Sequence, residues 1–313
     1  MTSDDSRILV TPRSLTEAGL DAVPELEPLR RKNFTLVGAP PGRMPSEEEL
    51  LTLVPGCVGW LAGVERISAR VLHAATELRV ISRNGTGTDA IDRAAADRVG
   101  VRIRSAPGAN AQSVAELTLT LVLCAVRHVP WSSAALREGS WQRSPGSEMT
   151  ECTVGVVGLG AVGRRAATLF TTLGARVVAH DPFVVDTTVP RVELDELVAT
   201  CDVVSLHCPP PAGGAPLIDA NRLAHAARGS VLVNTARSAL VDDKAVLAAL
   251  EDGTLRAYAV DAFDTEPPEL TPLLRHERVI ATPHLGGYTH ASVSRATSVA
   301  VQNLLAALEE EAT

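Results

Sequence analysis

The chain has 313 residues, enough for two domains that each bury a core. Its formal net charge of −8 and pI near 5.5 argue against nucleic acid and anionic membranes as partners, because both select for clustered cations. Residues 1–6 are polar, and no later apolar run approaches a membrane span, so we expect a cytoplasmic protein. The five cysteines are dispersed and odd in number, which predicts reduced thiols and no metal site.

Residues 7–104 predict a first α/β domain. Short apolar runs alternate with segments of helical spacing, a rhythm typical of a parallel sheet covered on both faces. Ser46 and Glu49 form a capping-box pattern, which predicts the start of a helix. The predicted strands are 8–10, 34–37, 58–61, 78–81 and 101–103, and the segments 65–74 and 90–99 have helical spacing.

A loop with two glycines follows the fourth predicted strand. Residues 82–89 read Ser-Arg-Asn-Gly-Thr-Gly-Thr-Asp. Backbone N–H groups freed by glycines at the carboxyl end of a strand form a concave anion site. A tight turn in which Asp89 caps the next helix fits the same residues.

The segment between the two predicted domains is apolar and then aromatic. Residues 113–125 form an unusually apolar helical pattern, which predicts a helix buried between the domains or against a second subunit. Pro130, Trp131 and Trp141 predict an irregular arm. An interface and a local core explain its tryptophans equally well.

The second domain is organised around a glycine loop, Gly158-Leu-Gly-Ala-Val-Gly163, between an apolar run and a helical pattern. Gly158 and Gly160 suit a tight turn that a diphosphate approaches closely, and Gly163 lets the helix pack on the strand. Asp181 ends the next predicted strand, about 20 residues further on, where a carboxylate binds ribose hydroxyls. A carboxylate there repels a 2′-phosphate, so NAD is favoured over NADP. The competing interpretation is a glycine turn in an ordinary α/β domain.

Polar side chains follow three later predicted strands, 230–233, 256–260 and 279–281. The first strand leads to Arg237, the second to Asp261 and Glu266, and the third to His284. The carboxyl ends of parallel strands gather at one edge of a sheet, which here also holds the glycine loop. A histidine can transfer the proton, a carboxylate on its second nitrogen can stabilise the imidazolium, and an arginine can bind a substrate carboxylate. This set fits hydride exchange with a carbon that bears oxygen.

Each of these residues also has an ordinary structural interpretation. His284 fits the cap of a turn, and Glu266 fits a solvated loop carboxylate before two prolines. Arg237 fits an ion pair with Asp242 or Asp243. The remaining histidines have no comparable neighbours, and we expect them to be structural.

Six segments form a set of signatures in a fixed order, which is more specific than any one of them: 82–92, 110–116, 158–163, 234–242, 261–267 and 282–287. With these segments, the sequence resembles the D-isomer-specific 2-hydroxyacid dehydrogenase family over roughly residues 53–300, and the phosphoglycerate-type members are closest in pattern.

The resemblance implies an α/β fold of two doubly wound parallel-sheet domains. A Rossmann NAD-binding domain, residues 105–284, is inserted into a flavodoxin-like substrate-binding domain, residues 1–104 plus 285–313. The resemblance also implies NAD as the cofactor and a homodimer through the NAD-binding domains.

The same resemblance assigns roles to individual residues. Arg237 is the implied substrate-binding arginine, Glu266 the carboxylate partner, and His284 the general acid and base. The implied substrate-binding loop comprises Asn84, Gly85, Thr86 and Gly87, with the backbone amides around Thr86 and Gly87 taking the substrate carboxylate. The implied cofactor-binding residues are Gly158, Gly160, Ala161, Val162, Gly163, Asp181, Cys208, Thr235, Ala236, Asp261, Gly286 and Gly287.

Two positions depart from the family pattern. Ser238 stands where the family usually has glycine, and we expect it to tighten the loop around Arg237. Ala161 stands where many members carry a basic residue, and we expect weaker NAD binding.

The sequence therefore predicts an NAD-dependent oxidoreductase that transfers a hydride between nicotinamide and C2 of a small D-2-hydroxy acid or 2-oxo acid, 3-phosphoglycerate-like acids included. One alternative is a dehydrogenase of a phosphonate-bearing hydroxy acid, with Arg66 or Arg83 contacting the anion. Another is an NAD(H)-sensing, corepressor-like binding protein. The short termini argue against that second alternative, because such a protein needs additional interaction sequence.

Overall fold

The structure is a computed structural model that describes residues 6–141, 143–184, 186–211 and 213–310. It divides into two compact units, Met1–Asn110 with Thr289–Thr313 and Ala111–Tyr288. The domain limits expected from the sequence, 104/105 and 284/285, stay a prediction.

The first unit contains a five-stranded sheet. Its elements before residue 111 are β1 (Arg7–Val10), α1 (Arg13–Ala18), α2 (Glu27–Arg31), β2 (Thr35–Gly38), α3 (Glu47–Leu53), β3 (Cys57–Ala62), α4 (Ala69–Ala74), β4 (Val80–Arg83), α5 (Arg93–Arg98) and β5 (Arg102–Arg104). The strands lie in the order β2-β1-β3-β4-β5, and all pairs are parallel. This is the flavodoxin-like order, in which the direction of winding reverses between β1 and β3.

Alternation along the strands explains why the first sheet is covered on both faces. Ile8 and Val10 pack into one core cluster, while Leu9 packs into the cluster on the other face. The predicted capping box is confirmed at the start of α3. Ser46 Oγ accepts from Glu49 N at 3.3 Å, and Ser46 N donates to Glu49 Oε2 at 2.8 Å.

The second unit contains a six-stranded parallel sheet. Its elements are α6 (Ala111–Val126), α7 (Val129–Arg137), β6 (Thr153–Val157), α8 (Ala161–Thr172), β7 (Arg176–His180), α9 (Leu194–Thr200), β8 (Val203–Leu206), α10 (Ala220–Ala224), β9 (Ser230–Asn234), α11 (Asp243–Glu251), β10 (Leu255–Val260), α12 (Pro272–Arg275) and β11 (Val279–Ala281). The strand order is β11-β10-β9-β8-β6-β7, and a parallel bridge from Ala179 to Arg191 adds a further position beyond β7. Winding reverses between β6 and β8, as in a Rossmann sheet, so the predicted fold class is confirmed.

The apolar helix α6 packs against α8 and the sheet within the second unit, with Leu121 and Val122 buried. Its expected burial between the domains or against a second subunit stays a prediction. Two local predictions differ from the structure. Most of the expected irregular arm is helix α7, because a proline is tolerated in a first helical turn, where its missing N–H has no intrahelical partner. Asp92, and not Asp89, caps α5, accepting from Ala95 N at 2.9 Å.

The last helix, α13 (His290–Glu309), packs on the sheet of the first unit. Its Ala300 carbonyl accepts from Ser82 Oγ at 2.7 Å, and Asn303 Nδ2 donates to the Ser105 carbonyl at 2.8 Å. These bonds explain how a segment so distant in sequence belongs to the first unit.

No single helix of the described chain is long and apolar enough to cross a membrane. Helices α6 and α7, which are bent by 61° at the break between them, together have the length and apolar composition of such a span. All five cysteines are free thiols.

Candidate active site

The glycine loop lies at the carboxyl end of β6, where the winding of the second sheet reverses. Gly158 has φ 95°, a conformation that favours glycine, and a Cβ there would meet Cys208 N at 2.9 Å. At Gly163 a Cβ would overlap the Gly158 carbonyl oxygen, so only glycine lets α8 approach the loop this closely. Gly160 is different, because no atom lies within 4 Å of a Cβ built there. The space beside Gly160 is therefore open to a ligand.

The N-terminus of α8 is suited to an anion. Gly160 occupies the N-cap position, and no side chain caps the helix. Gly160 and Ala161 are exposed, while Gly163 is buried against the loop. The first N–H groups of a helix have no intrahelical partner and carry partial positive charge, so this end of α8 can bind a diphosphate.

Asp181, directly after β7, is fastened to the glycine loop. Its Oδ2 accepts from Leu159 N at 2.7 Å, and its Oδ1 accepts from Phe183 N and Val184 N at 2.9 and 3.1 Å. Burial alone raises the pKa of Asp181, but the three backbone donors outweigh it, and the pKa lies below its usual value. The carboxylate is therefore ionised near neutral pH and fixed beside the loop.

The ends of β8 and β9 supply uncharged surfaces at the same edge. Burial raises the pKa of Cys208 to about 11, so its thiol stays protonated near neutral pH. Thr235 Oγ1 lies 2.9 Å from Thr118 Oγ1 of α6. Asn234, which is fully buried, accepts from Ala236 N at 3.1 Å and donates to the backbone carbonyl of Arg237 at 2.8 Å. Asn234 thus fixes the turn that presents the arginine.

Asp261 organises the loop after β11. It is 2% exposed, and its carboxylate accepts from Thr282 Oγ1 at 2.6 Å and from Leu285 N and Gly286 N at 2.7 Å each. A Cβ at Gly286 would lie 3.0 Å from Asp261 Oδ2 and 3.3 Å from Val114 Cγ2. The glycine therefore lets the loop close on the carboxylate.

His284 and Glu266 form a pair. His284 Nδ1 contacts Glu266 Oε1, and the side chains are 40% and 16% exposed. Glu266 is therefore not a solvated loop carboxylate. Because a carboxylate accepts the Nδ1 proton, Nε2 is the nitrogen left to exchange a proton with a ligand.

Arg237 lies on the loop that follows β9. Its Nη1 donates to the Ala236 carbonyl at 2.8 Å. The next residue, Ser238, donates a hydrogen bond from Oγ to Asp264 Oδ1, on the loop that also carries Glu266. Ser238 thus links the loops of the arginine and the glutamate.

The predicted substrate loop, residues 84–87, belongs to the first unit and follows β4. Gly85 has φ 147°, and Asn84 N donates to the Ala62 carbonyl at 2.8 Å. Thr86 Oγ1 contacts Asn110 Oδ1 at 3.3 Å. All the other predicted site residues lie in the second unit.

The structure adds residues whose importance the sequence did not reveal. Asn234 and Thr118 hold the β9 turn, and Val114 lies beneath Gly286. Asn234 lies in the segment 234–242, which matches the family pattern, and this match was the sequence signal that could have identified Asn234. Within the described ranges, no group of three or more His, Cys, Asp or Glu side chains could hold a metal ion.

The second unit thus combines a dinucleotide-type glycine loop with a carboxylate–imidazole pair. Comparison with known proteins agrees with a dinucleotide-binding domain. Residues 119–286 match the family described as "D-isomer specific 2-hydroxyacid dehydrogenase, NAD binding domain". The chain belongs to this family.

Individual relatives extend the comparison. D-3-phosphoglycerate dehydrogenase of Mycobacterium tuberculosis is 38% identical over 275 residues, which are 85% of this chain and 52% of that protein. The chain spans about half the length of the curated relatives it matches. A solved structure from Thermus thermophilus is 36% identical with a TM-score of 0.87 and covers 97% of both chains. A glyoxylate reductase from Paecilomyes thermophila is 26% identical with a TM-score of 0.86, covering 99% of this chain and 97% of its own.

Proposed function

We propose that this chain is an NAD-dependent dehydrogenase that interconverts a small D-2-hydroxy acid and the corresponding 2-oxo acid. The observation that carries the proposal is the His284–Glu266 pair, placed in the unit that holds the glycine loop. Family membership and the names of the relatives, D-3-phosphoglycerate dehydrogenase and glyoxylate reductase, support the reaction class.

The residues of the second unit fit NAD. The exposed N-terminus of α8 and the open space beside Gly160 fit the diphosphate, and Asp181 fits the ribose hydroxyls. The fixed negative charge of Asp181 disfavours the 2′-phosphate of NADP. When bound, the nicotinamide supplies or accepts the hydride. We assign the other predicted cofactor contacts to Ala161, Val162, Gly163, Cys208, Thr235, Ala236, Asp261, Gly286 and Gly287.

His284 moves the proton. In oxidation its Nε2 accepts the proton of the substrate hydroxyl while the substrate loses its C2 hydride, and in reduction both steps reverse. Glu266, in contact with Nδ1, orients the ring and stabilises the imidazolium that forms. This mechanism needs no covalent intermediate.

Arg237 and the loop of residues 84–87 bind the substrate. The guanidinium binds a carboxylate and polarises the neighbouring carbonyl, since two parallel hydrogen bonds fix orientation as well as charge. The backbone amides around Thr86 and Gly87, on the loop formed by Asn84, Gly85, Thr86 and Gly87, take the substrate carboxylate in the first unit.

We also propose a cytoplasmic homodimer that associates through its NAD-binding units. Five free thiols are compatible with a reducing compartment. Val129, Leu136 and Trp141 of the second unit are 52%, 58% and 80% exposed, and exposed apolar groups of this size are typical of subunit interfaces. A sedimentation measurement that found only monomer would remove the dimer from the proposal.

The first test is a screen of 2-oxo acids with NADH and NADPH, in which turnover is measured as the loss of reduced-nicotinamide absorbance. We expect turnover of at least one small 2-oxo acid, with NADH preferred because of Asp181. Binding of NADH without any turnover across the panel would instead support an NAD(H)-sensing protein.

The second test is His284→Ala. We expect turnover to fall by at least about a hundredfold, the usual contribution of a general acid or base, with NADH affinity nearly unchanged. Loss of NADH affinity with normal turnover at saturation would contradict the role of His284.

A further inference from the structure

The first unit holds a buried acidic group at the carboxyl edge of its own sheet. Thr11 follows β1, and Glu65 follows β3, the two strands between which the winding reverses. Open α/β sheets bind ligands outside the carboxyl ends of their strands at such a reversal. Glu65 is only 3% exposed. A carboxyl group is rarely buried so deeply without a specific partner or role.

A set of hydrogen bonds fixes Glu65 in one position. Its Oε1 accepts from Thr11 Oγ1 and, at 3.0 Å, from Gly63 N. Thr11 Oγ1 in turn accepts from Trp60 Nε1 at 2.9 Å. A Cβ at Gly63 would lie 2.6 Å from Glu65 Oε2 and 3.0 Å from Pro12 Cα, so the glycine leaves room for the carboxyl group. The acid is therefore held by the ends of both strands.

Glu65 lies within the electrostatic range of Arg83. Burial raises the pKa of Glu65 above its usual value, and the hydrogen bonds from Thr11 and Gly63 and the positive charge of Arg83 offset only part of that rise. Arg83 ends β4, and its Nη1 donates to the Asn84 carbonyl at 2.8 Å. Glu65 thus places an acidic group beside Arg83, whereas phosphate sites in proteins usually have an excess of cations.

The side-chain amide of Asn84, the residue after Arg83, also favours a ligand that donates hydrogen bonds. Asn84 Oδ1 is buried and has no hydrogen-bond partner among the residues that the structure describes. A buried acceptor without a partner is destabilising. A hydroxyl group can donate to such an oxygen, whereas a phosphate dianion has only acceptor oxygens.

We propose that Glu65 determines substrate specificity by excluding a phosphate or phosphonate group and selecting a 2-oxo acid whose third carbon carries only hydrogen or a hydroxyl group. This inference rests on the proposed function, which places the substrate carboxylate on the loop of residues 84–87 in the same unit. It narrows the substrate class to acids that are unphosphorylated, despite the similarity to phosphoglycerate dehydrogenases.

The test compares hydroxypyruvate with phosphohydroxypyruvate at about pH 8, where a phosphate monoester carries a charge of about −2. In the wild-type protein kcat/KM for hydroxypyruvate should exceed that for phosphohydroxypyruvate by at least about tenfold. Glu65→Gln keeps the size of the side chain and removes its charge. It should raise the ratio of phosphorylated to unphosphorylated kcat/KM by at least about tenfold. The exposed Glu77→Gln, the same chemical change elsewhere in the unit, should keep the wild-type ratio.

The ratio of the two kcat/KM values separates an effect on specificity from an effect on folding, because both acids are assayed on the same protein. An unchanged ratio in Glu65→Gln would overturn the inference. If that variant does not fold, the wild-type protein decides, since a preference for phosphohydroxypyruvate overturns the inference and the opposite preference supports it. Absence of turnover with every 2-oxo acid would overturn the proposed function itself, and the inference with it.

Discussion

Gly163 and Gly160 allow the fold of the glycine loop to be separated from its binding function. In Gly163→Ala the new methyl group overlaps the Gly158 carbonyl oxygen, so helix and loop must separate by about 1 Å. Such overpacking costs up to about 3 kcal/mol, and the better helix propensity of alanine offsets about 1 kcal/mol. The net loss is about 2 kcal/mol. In Gly160→Ala the methyl group meets no atom within 4 Å, and φ is −70°, so the change in unfolding free energy should stay within about 0.5 kcal/mol.

Thermal unfolding and NADH titration of both variants test this difference. Gly163→Ala should lower Tm by about 4–8 °C, from about 2–4 °C per kcal/mol for a unit of this size. Gly160→Ala should keep the wild-type Tm but weaken NADH binding by at least about tenfold, because its methyl group occupies the space assigned to the diphosphate. The reasoning would be refuted by equal losses of Tm in the two variants, or by normal NADH affinity in Gly160→Ala.

Three further predictions concern other residues. Glu266→Gln should lower kcat by at least about tenfold, because the ring of His284 loses the carboxylate that orients it; a kcat equal to that of the wild type would contradict this role. Burial lowers the pKa of His207 to about 4, against about 6.5 in an unfolded chain. The unfolded chain therefore takes up the proton first, so the unfolding free energy should fall by up to about 3 kcal/mol as the pH drops from about 6.5 to about 4. In urea titrations His207→Gln should show a flatter pH dependence, and an equally steep one would exclude His207 as the cause. Ser238→Gly removes the bond to Asp264 and should lower kcat/KM by about three- to tenfold without changing NADH affinity; no change in kcat/KM would mean that the link between the two loops has no catalytic consequence.

The regular elements were largely predictable because their causes are local. Short apolar runs located the strands, and β11 begins and ends at the residues expected from the sequence. Pro130 was misleading, because a proline breaks a helix interior but is tolerated in a first turn, as in α7. Asp89 and Asp92 stand three positions apart, and only the backbone of the loop decides which of them caps α5.

The contacts of the candidate site were less accessible to sequence reasoning. The family resemblance implied Glu266 as the carboxylate partner of His284, but neither segment alone shows the pairing, because it depends on how two loops from neighbouring strands fold toward each other. The bonds of Asn234 to Ala236 and Arg237 are local, whereas the bonds from Asp261 to the 282–286 loop depend on the register between β10 and β11. Such register is set by packing over the whole sheet and cannot be read from any one segment. The burial of Glu65 has the same origin.

Transfer of a labelled hydride tests the central claim most directly. The protein would be incubated with a 2-oxo acid and NADH that carries deuterium at C4 of the nicotinamide, and the product would be examined by mass spectrometry and chiral separation. The account predicts one deuterium at C2 of a D-2-hydroxy acid. A product without deuterium at C2, or one of the L configuration, would contradict it.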